Sequence, residues 1–264
     1  MPIITLLTDY GLRDSYVAEM KGAILKLAPN VTLIDISHNV DSYSVREGAF
    51  LLARSVPYFP DRTIHVSVVD PGVGGERMSI IIKTSKALLV GPDNGLLAPA
   101  AERLGVQKVY QITDRRLLPE RVSDVFDGRD TFGPVAALLA KGMLPSSFGS
   151  ETKEYVRIPS FEAKVSDNSI EGSVIHVDGF GNLVTNISIG ILDKMGVKTG
   201  KRMEVVVSGR RFLVPYVRSF SSVPVGELLA LVAGGGYLEL AVNQGNAKRT
   251  IGIELDEKIY FSFN

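Results

Sequence analysis

Three short apolar runs alternate with segments of helical periodicity in the first part of the chain. The runs span residues 3–7, 31–36 and 63–69. Between the first two, residues 15–27 carry apolar side chains at helical spacing, and Ser44-Val45-Arg46-Glu47 has the form of a capping box that opens a second helix. The order strand–helix–strand–helix–strand is typical of a parallel sheet with helices on its faces.

Two aspartates follow predicted strands of this sheet. Asp9 comes just after the first apolar run, and Asp70 comes just after the third. In open α/β sheets, ligands bind at the carboxyl ends of the parallel strands. We therefore expect Asp9 and Asp70 to lie near a ligand.

The pattern changes from mixed to mostly β in the second half of the chain. Residues 80–84 and 87–90 predict a hairpin, and a helix is predicted from Asp130, as N-cap, to Lys141. Residues 144–168 lack periodicity and are predicted to be a linker between domains of residues 1–160 and 161–264. Short strands after the linker predict a small barrel or sandwich: 173–177, 203–207, 212–217, 237–242, 251–255 and 259–263. Pro215 should confine its strand to an edge or a bulge.

Composition excludes several classes of function. The chain has 29 basic and 29 acidic residues, so no strong field favours nucleic acid or an anionic membrane as a partner. Cysteine is absent, which excludes disulfides and thiolate chemistry. The three histidines lie far apart, so no metal site is predicted. The first residues do not resemble a signal peptide, and we expect a cytoplasmic protein.

Several common motifs are broken. The glycines at 72–75 do not have dinucleotide-loop spacing, residues 196–201 are one residue short of a P-loop, and no GxSxG elbow is present. Five other segments combine carboxylates, amides, one arginine and tight turns: Thr8-Asp9-Tyr10-Gly11, Asp70-Pro71-Gly72-Val73-Gly74 with Arg77, Phe126-Asp127-Gly128-Arg129-Asp130, Asp178-Gly179-Phe180-Gly181-Asn182, and Gly236-Tyr237-Leu238-Glu239 leading to Asn243.

In number and order these five segments resemble the S-adenosyl-L-methionine (SAM) hydrolases, also called SAM hydroxide adenosyltransferases. The fluorinating and chlorinating enzymes that act on the same carbon are relatives. The resemblance extends from about Thr8 to Ala247. It implies an α/β fold class, with an N-terminal parallel-sheet α/β domain and a smaller C-terminal β-barrel domain. It also implies a homotrimer in which the substrate lies between the N-terminal domain of one subunit and the C-terminal domain of its neighbour.

The resemblance implies that water breaks SAM into adenosine and L-methionine, with no cofactor and no metal. Asp9 resembles the carboxylate that holds both ribose hydroxyls, a task that suits an acceptor-only group. Asp70 and Arg77 resemble two members of the water-orienting triad, and Tyr43 lies where the family places an aromatic ring against the ligand. These contacts belong to the N-terminal domain.

The adenine and methionine contacts are implied for the C-terminal domain. Phe180 and Asn182 resemble the stacking and hydrogen-bonding residues of the adenine site, which backbone near Asn243 and Gln244 should complete. Asp178 resembles the group that meets the methionine ammonium. Tyr237, in the fifth segment, is a further predicted substrate contact.

One residue departs from the family pattern. The hydrolases carry His as the third member of the triad, in a Phe-His-Gly-Arg-Asp motif, and this chain has Asp127 there. An ionised Asp127 can only accept hydrogen bonds. With Asp70 it would place two carboxylates beside one arginine, which favours a shared proton. Three interpretations stay open: a working variant, an introduced replacement with reduced activity, and a protein that binds SAM and turns it over slowly.

Two other functions are therefore kept. A protein that binds SAM or adenosine with little or no turnover would show binding without products. A SAM-dependent halogenase would need donors and little negative charge, whereas Asp70 and Asp127 repel an anion and Gly128 has no hydroxyl.

Overall fold

The computed structural model describes residues 1–159 and 161–263 of the chain. The chain divides into two compact units, Met1–Pro159 and Ser160–Asn264. We call them the N-terminal and C-terminal units. Among the described residues, no helix is long and apolar enough to cross a membrane.

The N-terminal unit is an α/β unit. Its strands are β1 (Ile3–Thr8), β2 (Thr32–Ser37), β3 (Ile64–Val68), β4 (Ser79–Thr84), β5 (Leu88–Pro92), β6 (Val106–Gln111) and β7 (Glu151–Thr152). Its helices are α1 (Tyr16–Leu27), α2 (Val45–Ser55), α3 (Ala98–Arg103) and α4 (Gly133–Ala140). Short 3-10 turns are found at Val56–Tyr58, Arg115–Leu117 and Pro145–Ser147, and a π-helical turn spans Gly128–Phe132.

The sheet of this unit is mixed rather than wholly parallel. Its strand order is β2-β1-β3-β5-β4-β6-β7. The first four strands are parallel, and β4, β6 and β7 add to them in antiparallel fashion. The predicted hairpin of β4 and β5 is confirmed. Its short connection permits only antiparallel pairing, because a parallel return needs a crossover of a dozen or more residues.

Helices contact both faces of the parallel strands. Ile4 and Leu6 of β1 pack with Met20 and Ile24 of α1 in a core that also includes α4. Leu7 points to the opposite face, as strand alternation requires. There it lies beside Gly48 of α2, where an added Cβ would contact it. Strands β1 and β3 are buried on both faces, which is typical of the inner strands of a parallel sheet.

Capping explains one correct and one wrong helix start. Ser44 caps α2 as predicted, with its hydroxyl accepting from the backbone N–H of Glu47. The helix predicted from Asp130 is wrong at its start, because the π-helical turn precedes α4. Asp130 is not the N-cap. Its carboxylate instead accepts backbone N–H groups from Val122 and Ser123, at 3.1 and 2.9 Å.

The C-terminal unit is mostly β. Its strands are β8 (Lys164–Ser166), β9 (Ser169–Val177), β10 (Leu183–Ser188), β11 (Arg202–Val207), β12 (Arg210–Pro215), β13 (Leu228–Val232), β14 (Tyr237–Val242) and β15 (Lys258–Phe263). Its helices are α5 (Ile189–Lys194) and α6 (Ala247–Ile251), and a 3-10 turn spans Phe220–Ser222.

These strands form a nearly closed antiparallel barrel. The order is β12-β11-β15-β9-β10-β14-β13, and β8 pairs with β9. The two ends of the row approach each other at a bridge between Tyr216 and Ala230, where the Val217 N–H donates to the Ala230 carbonyl at 2.8 Å. The barrel expectation is therefore confirmed, and Pro215 ends the edge strand β12 as predicted.

Two segments differ from the sequence prediction. The strand predicted over 251–255 is wrong, because Asn246 caps the short helix α6 and Gly252, at φ 70°, ends it in the left-handed region. The predicted linker is partly regular, since it contains a 3-10 turn, β7 and β8. Strands β6, β10 and β13 and helices α3 and α5 were not predicted.

Candidate active site

Asp9 and Asp70 lie at the carboxyl ends of two neighbouring parallel strands. Strands β1 and β3 are paired in register up to the end of β1, so the two aspartates emerge at the same edge of the sheet. Both line a cavity of about 250 Å³. Tyr43, from the loop before α2, and Asp127, at the start of the π-helical turn, line the same cavity. The structure therefore brings these four predicted site residues together.

Asp9 holds the loop that carries Tyr43. The Asp9 Oδ2 atom accepts the Tyr43 backbone N–H at 2.9 Å. Tyr43 has a φ of 69°, in the left-handed region that a tyrosine rarely adopts. Its side chain is 72% exposed, so burial of the ring does not explain this backbone. Backbone strain of this kind is characteristic of functional sites.

Arg77 joins Asp70 to Asp127. Its Nε and Nη2 atoms donate to Asp70 Oδ2 at 2.8 and 2.5 Å, and Nη2 also donates to Asp127 Oδ2 at 2.5 Å. A further bond from Nη1 to Ser79 Oγ fixes the plane of the guanidinium. Burial acts to lower the pKa of Arg77, but the hydrogen bonds and charges of the two aspartates outweigh it and raise the pKa. Arg77 therefore stays a cation.

The second oxygen of Asp70 is buried without a partner. Among residues 1–159 and 161–263, nothing hydrogen-bonds to Asp70 Oδ1. A buried carboxylate oxygen normally accepts a hydrogen bond from protein or water. Asp70 itself lines the cavity, so the side chain that carries this unused acceptor is part of the site.

Asp127 has more positive neighbours than the sequence predicted. Its Oδ1 atom accepts from Arg121 Nη2 at 2.6 Å and from Thr131 Oγ1 at 2.8 Å. Arg77 does lie between the two carboxylates, as expected, and Arg121 adds a second guanidinium beside Asp127.

Tyr10 is a wall residue to which the sequence analysis assigned no role. Its side chain is partly buried, and its pKa is raised first by desolvation and then by the negative charges of Asp9, Asp70 and Asp127. It therefore remains an O–H group at neutral pH. A Cβ at position 128 would overlap the Tyr10 hydroxyl, which explains the need for Gly128.

In the C-terminal unit, Asp178 organises a tight turn. Its Oδ1 accepts the backbone N–H groups of Phe180 and Asn182, both at 2.9 Å, and its Oδ2 accepts from Asn182 Nδ2, also at 2.9 Å. Local hydrogen bonding of this kind is what an aspartate in a turn commonly does. Contact with a methionine ammonium stays a prediction for this residue.

The turn presents Phe180 and Asn182 to a cavity of about 330 Å³ that Gln244 also lines. The Phe180 side chain is 79% exposed, so the ring gives up the stabilisation that burial would provide and its face is available for stacking. Gln244 has a φ of 54°, which gives its backbone a left-handed turn at the end of β14. Phe220 completes the apolar wall and was not predicted.

Two predicted contacts lie outside this cavity wall. The side-chain amide of Asn243 donates to the Val223 carbonyl at 2.8 Å, so it supports the neighbouring backbone. Tyr237 pairs with Ser188, at the opposite end of the β10–β14 ladder from Asn182. The structure therefore does not bring Tyr237 together with Asn182 within this unit.

Two other features complete the description of possible sites. A larger cavity, of about 740 Å³, lies at the opposite edge of the N-terminal sheet, beside the starts of β1, β3 and β5, and none of the predicted site residues lines it. Within the described ranges, no group of three or more histidine, aspartate or glutamate side chains could hold a metal ion.

Arg121 and Thr131, which hold Asp127 at the wall of the first cavity, are functional candidates that the sequence analysis missed. Arg121 lies six residues before Asp127 in a segment without regular structure, and only the fold brings its guanidinium to the carboxylate. Thr131 lies four residues after Asp127, one turn along the helix. That spacing is the one signal that the sequence contained.

Each of the two units matches a domain of a known protein family. Residues 4–149 match the SAM hydroxide adenosyltransferase N-terminal domain, and residues 172–260 match the C-terminal domain. An (R)-S-adenosyl-L-methionine hydrolase of Salinispora tropica is 38% identical over 98% of this chain and 97% of its own length. A fluorinase of Nocardia brasiliensis is more distant, at 28% identity over 92% of this chain and 90% of its own.

A solved structure shows the same architecture. The crystal structure of an uncharacterized conserved protein from Thermotoga maritima matches with a TM-score of 0.93 at 35% sequence identity, over 98% of this chain and 99% of that one. The two domain matches cover most of the chain, in the order that the five motifs follow. The chain therefore belongs to the SAM hydroxide adenosyltransferase family.

Proposed function

We propose that this protein hydrolyses SAM to adenosine and L-methionine by in-line attack of water on the ribose C5′. Both family domains match in order, and a relative at 38% identity over nearly the full length is an (R)-S-adenosyl-L-methionine hydrolase. The fluorinase relative is less similar. SAM is thus the substrate, and the chain is an enzyme.

The observation that carries the mechanism is the free oxygen of Asp70. Asp70 lines the cavity; its Oδ1 is buried and unpartnered among the described residues, while its Oδ2 is held by Arg77. A water bound there would donate to Oδ1 and be fixed beside the reacting carbon. Fixing a nucleophile in this way supplies about 7–11 kcal/mol toward the barrier.

The reaction then needs one bond to form and one to break. The water oxygen attacks C5′ as the C5′–S bond breaks, and the electron pair goes to sulfur, which becomes the neutral thioether of methionine. The water loses one proton to a carboxylate, Asp70 or Asp127, and from there to solvent. General-base assistance of this kind is worth about 10²–10⁴-fold in rate. Tyr10, as a phenol, can donate within the same cavity.

The charge of the first cavity also suits the substrate. Asp9, Asp70 and Asp127 line it, and the sulfonium of SAM is cationic. Asp9 would bind the ribose diol through the oxygen that Tyr43 leaves available, and the exposed ring of Tyr43 would cover the ligand. The same carboxylates disfavour a halide nucleophile.

The adenine and methionine ends are assigned to the second unit. We place adenine against the exposed ring of Phe180, with Asn182 and backbone near Asn243 and Gln244 as hydrogen-bonding partners. Asp178 would meet the methionine ammonium, and Tyr237 is retained as a further contact. The homotrimer, with the site shared by neighbouring subunits, and the cytoplasmic location belong to this proposal, as does turnover without a cofactor.

The test is incubation of the purified protein with SAM in 18O-labelled water. Chromatography should show adenosine and methionine in equal amounts, with the label in the 5′-hydroxyl of adenosine. Adenosine without the label would refute attack of water at C5′. Binding by calorimetry without products would identify a SAM-binding protein, and a 5′-halo-adenosine formed with chloride or fluoride would identify a halogenase.

A further inference from the structure

Arg121 is fixed against Asp127 by its own loop. Its Nε donates to the Ser123 carbonyl at 2.9 Å, and its Nη2 donates to the Asp124 carbonyl at 3.2 Å as well as to Asp127 Oδ1. The Arg121 side chain is about one-third exposed, whereas that of Asp127 is 5% exposed. The carbonyl bonds limit the guanidinium to one orientation, so its pairing with Asp127 is preorganised.

Arg121 does not line the cavity that contains Asp9 and Asp70. It lines a separate polar cavity of about 360 Å³, together with Arg77, Arg115 and Thr131. Asp127 lines both cavities and so forms part of the wall between them. Arg121 therefore reaches the first cavity only through the carboxylate of Asp127.

Two side chains, those of Asp127 and Arg77, connect Arg121 to the carboxylate of Asp70. Arg121 and Thr131 hold one oxygen of Asp127, and the other oxygen accepts from Arg77 Nη2. The same Nη2 atom donates to Asp70 Oδ2. Each link is charge-assisted or engages a carboxylate, the class of hydrogen bond with the shortest distances and the greatest strength.

Loss of Arg121 would change the geometry of this series of hydrogen bonds. Asp127 would keep Thr131 and Arg77 as donors, but a buried carboxylate with fewer partners attracts its remaining cation more strongly. Arg77 would then shift toward Asp127 and away from Asp70, and the free oxygen of Asp70 would lose its fixed place. A misplacement of about 1 Å at a reacting group costs about 10²-fold in rate.

We propose that Arg121 is a positioning residue for the hydrolysis, acting through Asp127 and Arg77 on the water-binding oxygen of Asp70. This inference rests on the proposed function. Because Arg121 lies outside the first cavity, its loss should lower kcat and leave KM nearly unchanged. Because it acts through a charged Asp127, its effect should disappear when Asp127 is made neutral.

The experiment is a double-mutant cycle on SAM hydrolysis with Arg121→Gln and Asp127→Asn. Arg121→Gln alone should lower kcat about 10- to 100-fold, in line with the misplacement argument, with KM within about threefold. In the Asp127→Asn background, the same change should alter kcat less than about threefold. Arg121→Lys, which keeps the charge, should recover most of the loss.

The matched control is Arg116→Gln, an arginine of the same segment whose side chain is 89% exposed and pairs with Asp114 on the surface. It should leave kcat and KM unchanged. Equal effects of Arg121→Gln in both backgrounds, or a change confined to KM, would overturn the inference. If Arg121→Gln does not fold, Thr131→Val removes the other donor to the same oxygen. A lower kcat at constant KM then supports the inference, and an unchanged kcat overturns it.

The cycle separates this inference from the proposed function. A wild-type protein that forms no adenosine from SAM refutes the proposed function itself. An active wild type with additive effects of the two changes refutes only the role of Arg121.

Discussion

Replacing Asp70 by asparagine changes one oxygen of the buried carboxylate into an NH2 group without changing the shape of the side chain. Arg77 carries only donors, so the amide oxygen must face Arg77, where Asp70 Oδ2 now accepts two hydrogen bonds. The NH2 group must then occupy the place of the unpartnered Oδ1 atom. An acceptor for the proposed water becomes a donor.

The expected loss follows from this exchange. Removal of a general base or water acceptor costs about 10²–10⁴-fold in kcat, which corresponds to about 3–5 kcal/mol at the barrier. Folding is affected less. The bonds from Arg77 remain but lose their charge assistance, so the free energy of unfolding should fall by about 1–2 kcal/mol. KM should change much less than kcat.

The assay is adenosine formation under saturating SAM, with thermal unfolding measured on the same samples. Asp167→Asn is the matched control, since Asp167 is an exposed turn residue of the C-terminal unit. A kcat within tenfold of the wild-type value, or a change in KM alone, would refute the assignment of Asp70 as the water acceptor.

Three further predictions concern separate parts of the molecule. Phe180→Ala should weaken adenosine binding about tenfold or more in calorimetry, because base stacking on an aromatic ring is worth about 1–3 kcal/mol. The Tm should barely change, since the ring is exposed. Unchanged affinity would contradict the stacking role. Tyr43→Gly should also weaken binding. The free energy of unfolding should stay within about 1 kcal/mol of wild type, because relief of the strained left-handed backbone offsets the added freedom of the unfolded chain. A large loss of Tm would show that the ring has a structural role. Burial lowers the pKa of His65 from 6.5 to about 4. Between these two pH values the unfolded chain binds more protons than the folded protein. The free energy of unfolding should therefore fall by up to about 3 kcal/mol as the pH drops from about 6.5 to about 4. Thermal unfolding of wild type and His65→Gln from pH 4 to 7 should therefore give different slopes, and equal slopes would exclude His65 as the titrating group.

Local patterns in the sequence were sufficient for much of the N-terminal unit. The apolar runs predicted β1, β2 and β3, and the capping box predicted the start of α2. Asp9 and Asp70 were placed at strand ends, and parallel pairing brings those ends to one edge. These predictions succeeded because periodicity and turn chemistry act over a few residues.

The errors arose where other local hydrogen bonds, or contacts between residues far apart in the chain, decided the conformation. The apolar residues at 251–255 resembled a strand, but Asn246 and Gly252 cap a short helix instead. Asp130 resembled an N-cap, but its carboxylate accepts the backbone N–H of Val122 in the preceding loop. The barrel closes by a bridge between Tyr216 and Ala230, a pairing that periodicity does not specify.

The sequence by itself predicted which residues meet the ligand, and the family resemblance predicted that Asp127 stands where the hydrolases carry histidine. Only the tertiary structure decided which donors pair with the carboxylate of Asp127. Arg121, Thr131 and Arg77 converge on this carboxylate from three segments of the chain. The state of a buried carboxylate depends on the number and direction of its donors, and those are set by the packing of segments that the linear order does not bring together.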